Sequence, residues 1–478
     1  MTALVTFLAF LGMFTLVGVS SARRSSGTTD DYLVAGRSVP PLLTALSSVA
    51  TNNSGFMFVG LIGFTVRGGL HTVWMAVAWI LGDLLVWLFV HQRVRERSGA
   101  VDAVSVPTLL ATGRDGVVQR PVVVVGAVLT FLFLGGYAAA QLDAGSTALE
   151  AMFGVPTWLG AVMGAAIVVA YCFSGGLRAS IWTDAVQSVV MLGSMLLLLG
   201  YAMVEVGSPM ALLAALEAQD PALLRLMPPD AVQGFVPYFL GFVAGGFGAV
   251  GQPHILVRSM AIESPSDIPR ARAWYYAWFV PFYAAAILLA LYARVLLPEL
   301  TETPTGLSSE AAQLAVVHAT ERALPALATE LMPPALVGVM LAGLFSATMS
   351  TADSQMLSCS AAVTQDLFPS LRRSTWASKA ATLAVAALAL GLALWGSAGV
   401  FAMVLGAWSM LGASLGPVLL VRVLGRPAPA WLAVTMMASG LGTVQLWSTT
   451  GLSAAIFDLL PGLAVPLAIY GVWSAARR

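Results

Sequence analysis

The chain has 478 residues, of which 58% are apolar and only 10% charged, with a mean hydropathy of +0.86. A soluble domain carries about 25% charged residues, so a water-facing globule of normal polarity is excluded, and the high apolar content excludes disorder. Basic and acidic residues balance at 23 each, which leaves no basic surface for nucleic acid. The composition therefore points to an all-α polytopic protein of the lipid bilayer.

Taken in chain order, apolar runs of spanning length fall at 2–20, 43–65, 70–90, 121–148, 155–175, 183–207, 232–256, 273–297, 333–358, 376–396, 399–421, 427–447 and 453–474, predicting about 13 transmembrane helices. No Arg or Lys precedes the first run, and Arg23 and Arg24 follow it. That order suits a retained helix better than a secretory leader, whose positive charge comes first. With these spans, 19 basic residues fall on one side and four on the other, namely Arg67, Arg225, Arg294 and Arg322. Positive charge favours the cytoplasm, so the N-terminus is expected outside and the C-terminus inside a cell membrane. Arg258 counts among the cytoplasmic residues. The segment 298–332, with Glu299, Glu302, Glu310, Glu321 and Glu330, is expected to be a solvated external hairpin. Cys172 and Cys359 sit in apolar runs and are expected to be buried free thiols.

Two spans are interrupted. The second contains Ser47-Ser48-Val49-Ala50-Thr51-Asn52-Asn53-Ser54-Gly55, and the seventh contains Gly245-Gly246-Phe247-Gly248-Ala249-Val250-Gly251-Gln252-Pro253-His254. They lie five spans apart and so cross the bilayer in opposite directions. Discontinuous helices in matching positions of two halves are the best sequence pointer to a transporter's binding site, because unpaired backbone is tolerated only where it lines a cavity. The alternative, glycines that merely permit tight helix packing, explains one such segment more easily than a pair.

The ninth span carries Ser346-Ala347-Thr348-Met349-Ser350-Thr351-Ala352-Asp353-Ser354. In a helix Ala347, Ser350, Thr351 and Ser354 share one face, and hydroxyl and carbonyl oxygens suit a hard cation. Asp353 is an intramembrane carboxylate, a functional candidate by default, and Asp184 in Trp182-Thr183-Asp184 is a second. Asp184 also reads as an ordinary acidic residue of a helix N-terminus. Asp83 and Asp143 are weaker cases that capping or pairing with a neighbouring helix would explain. No His/Glu cluster, strand-borne nucleophile or phosphate loop is visible, so the chain is not expected to be an enzyme or to need an organic cofactor.

With these segments placed, the chain resembles the sodium/solute symporter family, and within it the proline-transporting branch. The resemblance runs from Tyr32-Leu33-Val34-Ala35-Gly36-Arg37-Ser38 to Leu415-Gly416-Pro417. Its most specific stretches are Gly251-Gln252-Pro253-His254-Ile255-Leu256, Met349-Ser350-Thr351 through Thr364-Gln365-Asp366-Leu367, and Phe173-Ser174-Gly175-Gly176-Leu177 leading to Asp184.

The resemblance implies an inverted five-helix repeat, as in an amino-acid transporter core, within a single domain 1–478. Residues 1–42 would hold the first helix and a cytoplasmic loop, 43–207 and 232–421 the two repeats, and 427–478 two further helices. Na⁺ would be the coupling ion, held by carbonyls of Ala50, Asn53 and Ala347 and hydroxyls of Ser350 and Thr351. Asp184 matches an aspartate that family members use for admitting or releasing sodium, or for a second sodium site. Ser54, Gly55, Phe56, Tyr137 and Pro253 would line the substrate cavity, with Asn52, Arg37 and Gln252 in supporting roles. The proline carriers have an aspartate where this chain has Asn52, and large aromatics where it has Phe56, Gly245 and Ala249, so the cavity is expected to be enlarged. Asp353 is a carboxylate the proline carriers lack, and with Asp184, Ser350 and Ser354 it is expected to form or border a second cation site. The function implied is sodium-coupled import of a small solute. Proline or a related amino acid ranks first, another small carboxylate second and a sugar third, with proton coupling as the alternative to sodium.

Overall fold

The computed structural model describes residues 1–478 except 230, 232, 305–307, 396–399, 455 and 478. Residues 232, 396, 399 and 455, which fall in or at the edges of predicted spans, and Arg478 of the basic-residue count therefore lie outside the described residues. Among the described residues the chain is helical, with two isolated β-bridges and no extended strand.

The long helices are α1 (Thr2–Ser21), α2 (Pro41–Asn52), α3 (Gly55–Gly68), α4 (Val73–Phe89), α5 (Arg120–Phe153) and α6 (Thr157–Val206). They continue with α7 (Phe235–Phe247), α8 (Pro253–Ala261), α9 (Ile268–Leu296), α10 (Pro334–Ala361), α11 (Thr375–Trp395), α12 (Val400–Val423), α13 (Ala430–Thr449) and α14 (Leu459–Ala475). Eight described helices are long and apolar enough to cross a membrane, or ten if the bent pairs α2/α3 and α7/α8 each count as one span. The predicted fifth and sixth spans are the two limbs of α6, which turns at Gly176 (φ 56°, ψ −140°). Only glycine fits there: a Cβ would lie 2.3 Å from the carbonyl oxygen of Tyr32.

Among the eight described helices long and apolar enough to cross a membrane, α10 is the most enclosed. It packs against α5, α6 and α1, and so sits at the centre of the bundle. This position explains its composition, since a helix buried on all sides needs no polar face, and its hydroxyls and Asp353 must find partners inside the protein. Helices α4 and α7 approach backbone to backbone. A Cβ on Gly246 would lie 2.0 Å from Trp79 O, and one on Gly82 equally close to Val243 O.

On the cytoplasmic side expected from the charge count, Val39 pairs with Ile262 as a parallel bridge, through Val39 N–H to Ala261 O (3.1 Å) and Glu263 N–H to Val39 O (3.0 Å). This joins the lead-in of α2 to the end of α8. The segment 298–332 keeps Glu299, Glu302, Glu310 and Glu330 exposed, as a solvated hairpin should, and the structure adds helical order and a packed face. It contains helices Ser309–Glu321 and Ala323–Leu331, and the first lies on α3, where a Cβ on Gly63 would meet Thr320 backbone at 3.1 Å. Arg67 donates to Thr320 Oγ1 there, and burial pushes the Glu321 carboxyl above its ordinary value against the opposing pull of His318 and Arg67. Cys172 and Cys359 are buried free thiols.

Candidate functional site: two helix breaks around a hydroxyl-bearing helix

The first break follows from local chemistry. Helix α2 stops at Asn52, and Asn53 takes a non-helical conformation (φ −95°, ψ 78°). Ser54 then caps the restart, its hydroxyl accepting from Phe56 N–H at 3.2 Å. The Gly55 N–H, left without a helical partner, donates to Gln141 Oε1 at 2.9 Å. The two limbs differ in direction by 63°. In the second break, Gly248–Gly251 tightens into a 3₁₀ turn, Gln252 is extended, and Pro253 restarts the helix at a bend of 58°. Proline suits that first position because it lacks the N–H that would be unpaired there. The freed carbonyl of Gly245 accepts from Trp408 Nε1 at 2.8 Å, and Gln252 Nε2 donates to Trp408 O at 3.0 Å, so α12 braces this break.

Helix α10 meets the first break through its hydroxyls. Ser350 Oγ lies 3.0 Å from Ala50 O and 3.3 Å from Ala347 O. Thr351 Oγ1 lies 3.1 Å from Thr51 O and 3.0 Å from Ala347 O. Four of the five residues expected to hold sodium thus converge, joined by the Thr51 carbonyl, which sequence reasoning did not name. Asn53 is buried at the break, where its side-chain amide donates to Val49 O at 2.7 Å.

The acidic pair expected to form a second site also comes together. Ser47 Oγ donates to Asp184 Oδ2 at 2.7 Å, and Ser354 Oγ lies 2.7 Å from Asp353 Oδ1 and 2.6 Å from Ser350 O. Ser180 Oγ is 3.1 Å from Asp353 Oδ1. Arg258 is inside this cluster. Counted from the sequence as a cytoplasmic loop residue, it is fully buried on α8, with its Nη2 3.2 Å from Asp184 Oδ2 and 4.0 Å from Asp353 Oδ1. The one signal available was its place directly after the apolar run Ile255-Leu256-Val257, so soon after a break.

The cavity between the breaks is lined by Asn52, Ser54, Phe56, Trp79, Tyr137, Tyr283 and Trp408, with room for about one water molecule. Tyr137 donates to Ser54 Oγ at 3.3 Å. Of the expected substrate residues, Ser54, Phe56 and Tyr137 meet here. Gly55 lies against Gln141 and Thr348. Pro253 instead lines a separate pocket with Leu33, Ser105 and Val257. The expected enlargement at Gly245 is filled by Trp79. Asn52 Nδ2 donates to Tyr275 OH at 2.6 Å and sits 3.4 Å from Asp83 Oδ1, while Tyr276 OH donates to Asp83 Oδ2 at 2.6 Å. Arg37 is remote from the cavity; it holds Asp102 Oδ1 (3.0 Å) and Ala103 O (2.9 Å).

Residues 32–427 match the sodium:solute symporter family. The chain belongs to that family. Among relatives of this symporter, the Salmonella typhimurium (strain LT2) sodium/proline symporter is 31% identical, across 96% of this chain and 90% of its own length. The Bacillus subtilis high-affinity proline transporter PutP is 29% identical, across 95% and 93%. A solved Na⁺-coupled sialic acid symporter in a substrate-bound outward-open state shares the symporter's fold, with a TM-score of 0.77 over 98% of this chain and 96% of that one at 18% identity. A closed nucleobase-cation-symport-1 family transporter shares it more loosely, with a TM-score of 0.54 at 16% identity, covering 93% and 95% of the two chains. The symporter is an integral membrane protein.

Proposed function

We propose that this symporter imports proline or a related amino acid together with sodium. The observation that carries this reading is the convergence of Ala50 O, Thr51 O, Ala347 O, Ser350 Oγ and Thr351 Oγ1 between a broken helix and the central helix, beside an aromatic cavity. Oxygen-only ligation of this kind suits a hard monovalent ion by analogy with other hard cations. The proline-transporting relatives favour an amino acid over another small carboxylate or a sugar.

Sodium binding would fix α2 against α10, ordering Ser54, Phe56 and Tyr137 around the solute. By linkage, solute must then raise sodium affinity by the same factor. One charge crossing 100 mV supplies about 2.3 kcal/mol and a tenfold sodium gradient about 1.4 kcal/mol. Together they support roughly 500-fold accumulation per sodium. Asp184, Asp353 and Ser354 form a second cation-attracting cluster in the same reading. The same reading has thirteen spans, with the N-terminus outside and the C-terminus in the cytoplasm, in a single domain whose repeats cover 43–207 and 232–421 between 1–42 and 427–478.

The test is uptake of radiolabelled proline by proteoliposomes at fixed pH with a sodium gradient, in competition with other amino acids, monocarboxylates and sugars. Sodium-driven uptake blocked by proline analogues is expected. Uptake indifferent to replacing sodium by choline would overturn sodium coupling and leave a proton as the driving ion.

A further inference from the structure

Arg258 projects from α8 into a cluster built by three other helices. Its Nε lies 3.2 Å from Ser47 Oγ of α2, and its Nη2 lies 2.9 Å from Ser180 Oγ of α6 and against Ser354 Oγ of α10. Its Nη1 donates to His254 O at 2.6 Å. The same Nη2 approaches both Asp184 Oδ2 and Asp353 Oδ1, and all three side chains are fully buried. A guanidinium cannot give up its proton in a protein, so this group is a fixed positive charge tethered to the helix that follows the second break.

Charge accounting in a low-dielectric interior is strict, because unpaired charge there is strongly disfavoured. With both carboxylates ionised, they and the one guanidinium leave one unit of negative charge. Asp184 Oδ1 is buried without a hydrogen-bond partner among the described residues, and Asp353 Oδ2 also lacks one of normal geometry, with the Tyr171 hydroxyl beside the carboxyl. The cluster also runs directly into the other set of oxygens. Thr51 Oγ1 is 3.1 Å from Ser354 Oγ, which is 2.6 Å from the carbonyl of Ser350. The residual negative charge therefore lies within one helical turn, along α10, of Ser350 and Thr351.

We propose that Arg258 is a built-in cation that takes the place of a second sodium between Asp184 and Asp353, leaving the site balanced for a single transported ion. This inference rests on sodium being the coupling ion. Asp353 then serves the transported ion at a distance, as its counter-charge, and the arginine sets how many ions travel with each solute.

The test uses the purified full chain and radioactive sodium alone, counting ions bound per protein, so it needs no knowledge of the solute. Wild type is expected to bind one sodium. Arg258→Gln, which leaves two uncompensated carboxylates, is expected to bind two, with the Hill coefficient rising from about 1 toward 2. Arg258→Gln combined with Asp353→Asn restores the original charge and is expected to return to one. Asp353→Asn alone removes the residual charge and is expected to weaken sodium binding roughly tenfold.

Two sodium ions on wild type would overturn the proposal, as would a folded Arg258→Gln variant that still binds one. If that variant does not fold, unchanged sodium affinity in Asp353→Asn would overturn it equally. Sodium-driven uptake with two bound ions defeats only this inference, whereas a wild-type chain that binds no sodium defeats the symport reading itself.

Discussion

Trp79 occupies the volume that Gly245 leaves open: a Cβ built on Gly245 would lie 2.7 Å from Cζ3 of the indole. The ring also lies tilted against Trp408, with centroids 5.5 Å apart, so one wall of the cavity comes from α4 instead of the broken seventh span. Trp79→Ala is expected to widen the cavity and let bulkier solutes compete, improving their inhibition of proline uptake by roughly tenfold relative to proline itself. Unchanged inhibition constants across a size series would show that Trp79 does not bound the site. Gly245→Trp, by the same geometry, is expected to lose transport unless Trp79 is reduced at the same time.

The hydroxyls of Ser350 and Thr351 each join the central helix to the first break. Ser350→Ala and Thr351→Ala are each expected to remove one ion ligand, worth about 1–3 kcal/mol. That corresponds to a roughly tenfold or larger rise in the sodium concentration for half-maximal uptake. The measurement is sodium activation of transport, with maximal velocity recorded separately so that a general loss of folded protein is not mistaken for weaker binding.

Gly176 lets α6 turn against Tyr32. Gly176→Ala forces an alanine into a positive-φ conformation that glycine alone adopts readily, disfavoured by about 1–3 kcal/mol, together with a direct clash, and is expected to lower the thermal midpoint in detergent by several degrees. Gly193→Ala, on the same helix with open space around the added methyl, serves as the control and is expected to leave the midpoint unchanged or slightly raised.

Arg178 holds Asp31 Oδ1 through Nε (3.0 Å) and also donates to Ala35 O (2.8 Å), clamping Thr29–Val34 to α6. Burial alone would raise the Asp31 carboxyl, but the bonds from Arg178, Ser25 and Ser26 bring it below its ordinary value of 3.8. A carboxylate depressed by folding contributes stability above its unfolded value and loses it as pH falls through the folded one. The clamp is thus expected to hold across about pH 5–8 and to open only below 3.8. Hydrogen exchange of residues 29–37 against pH checks this; loss of protection near neutrality would contradict it. Arg178→Gln is expected to raise exchange there at every pH.

Much of this site was readable in advance. The breaks announced themselves through runs of small and polar residues inside apolar spans, and Ala347, Ser350 and Thr351 through helical spacing. Arg258 was not, because a basic residue just upstream of Arg270 and Arg272 reads as part of a loop; only the bend between α7 and α8 returns it to the interior. Trp79 was hidden for a different reason. Apart from Asp83, helix α4 is apolar on every side, so its sequence does not say which ring faces the cavity. Pro253 lay on the right element, but a residue at the first position of a restarted helix points by the geometry of the turn, and here that is toward Leu33 and Val257.

The Val39–Ile262 bridge fastens the start of one broken helix to the finish of the other with two backbone bonds. Ser47 and Arg258 stand on these fastened segments and touch each other. A tilt of either segment must drag its neighbour along, so the guanidinium and its serine travel as one cargo-free lever. Any tilt of the pair relative to α6 and α10 would strain the boundary where Arg258 meets Asp184 and Asp353.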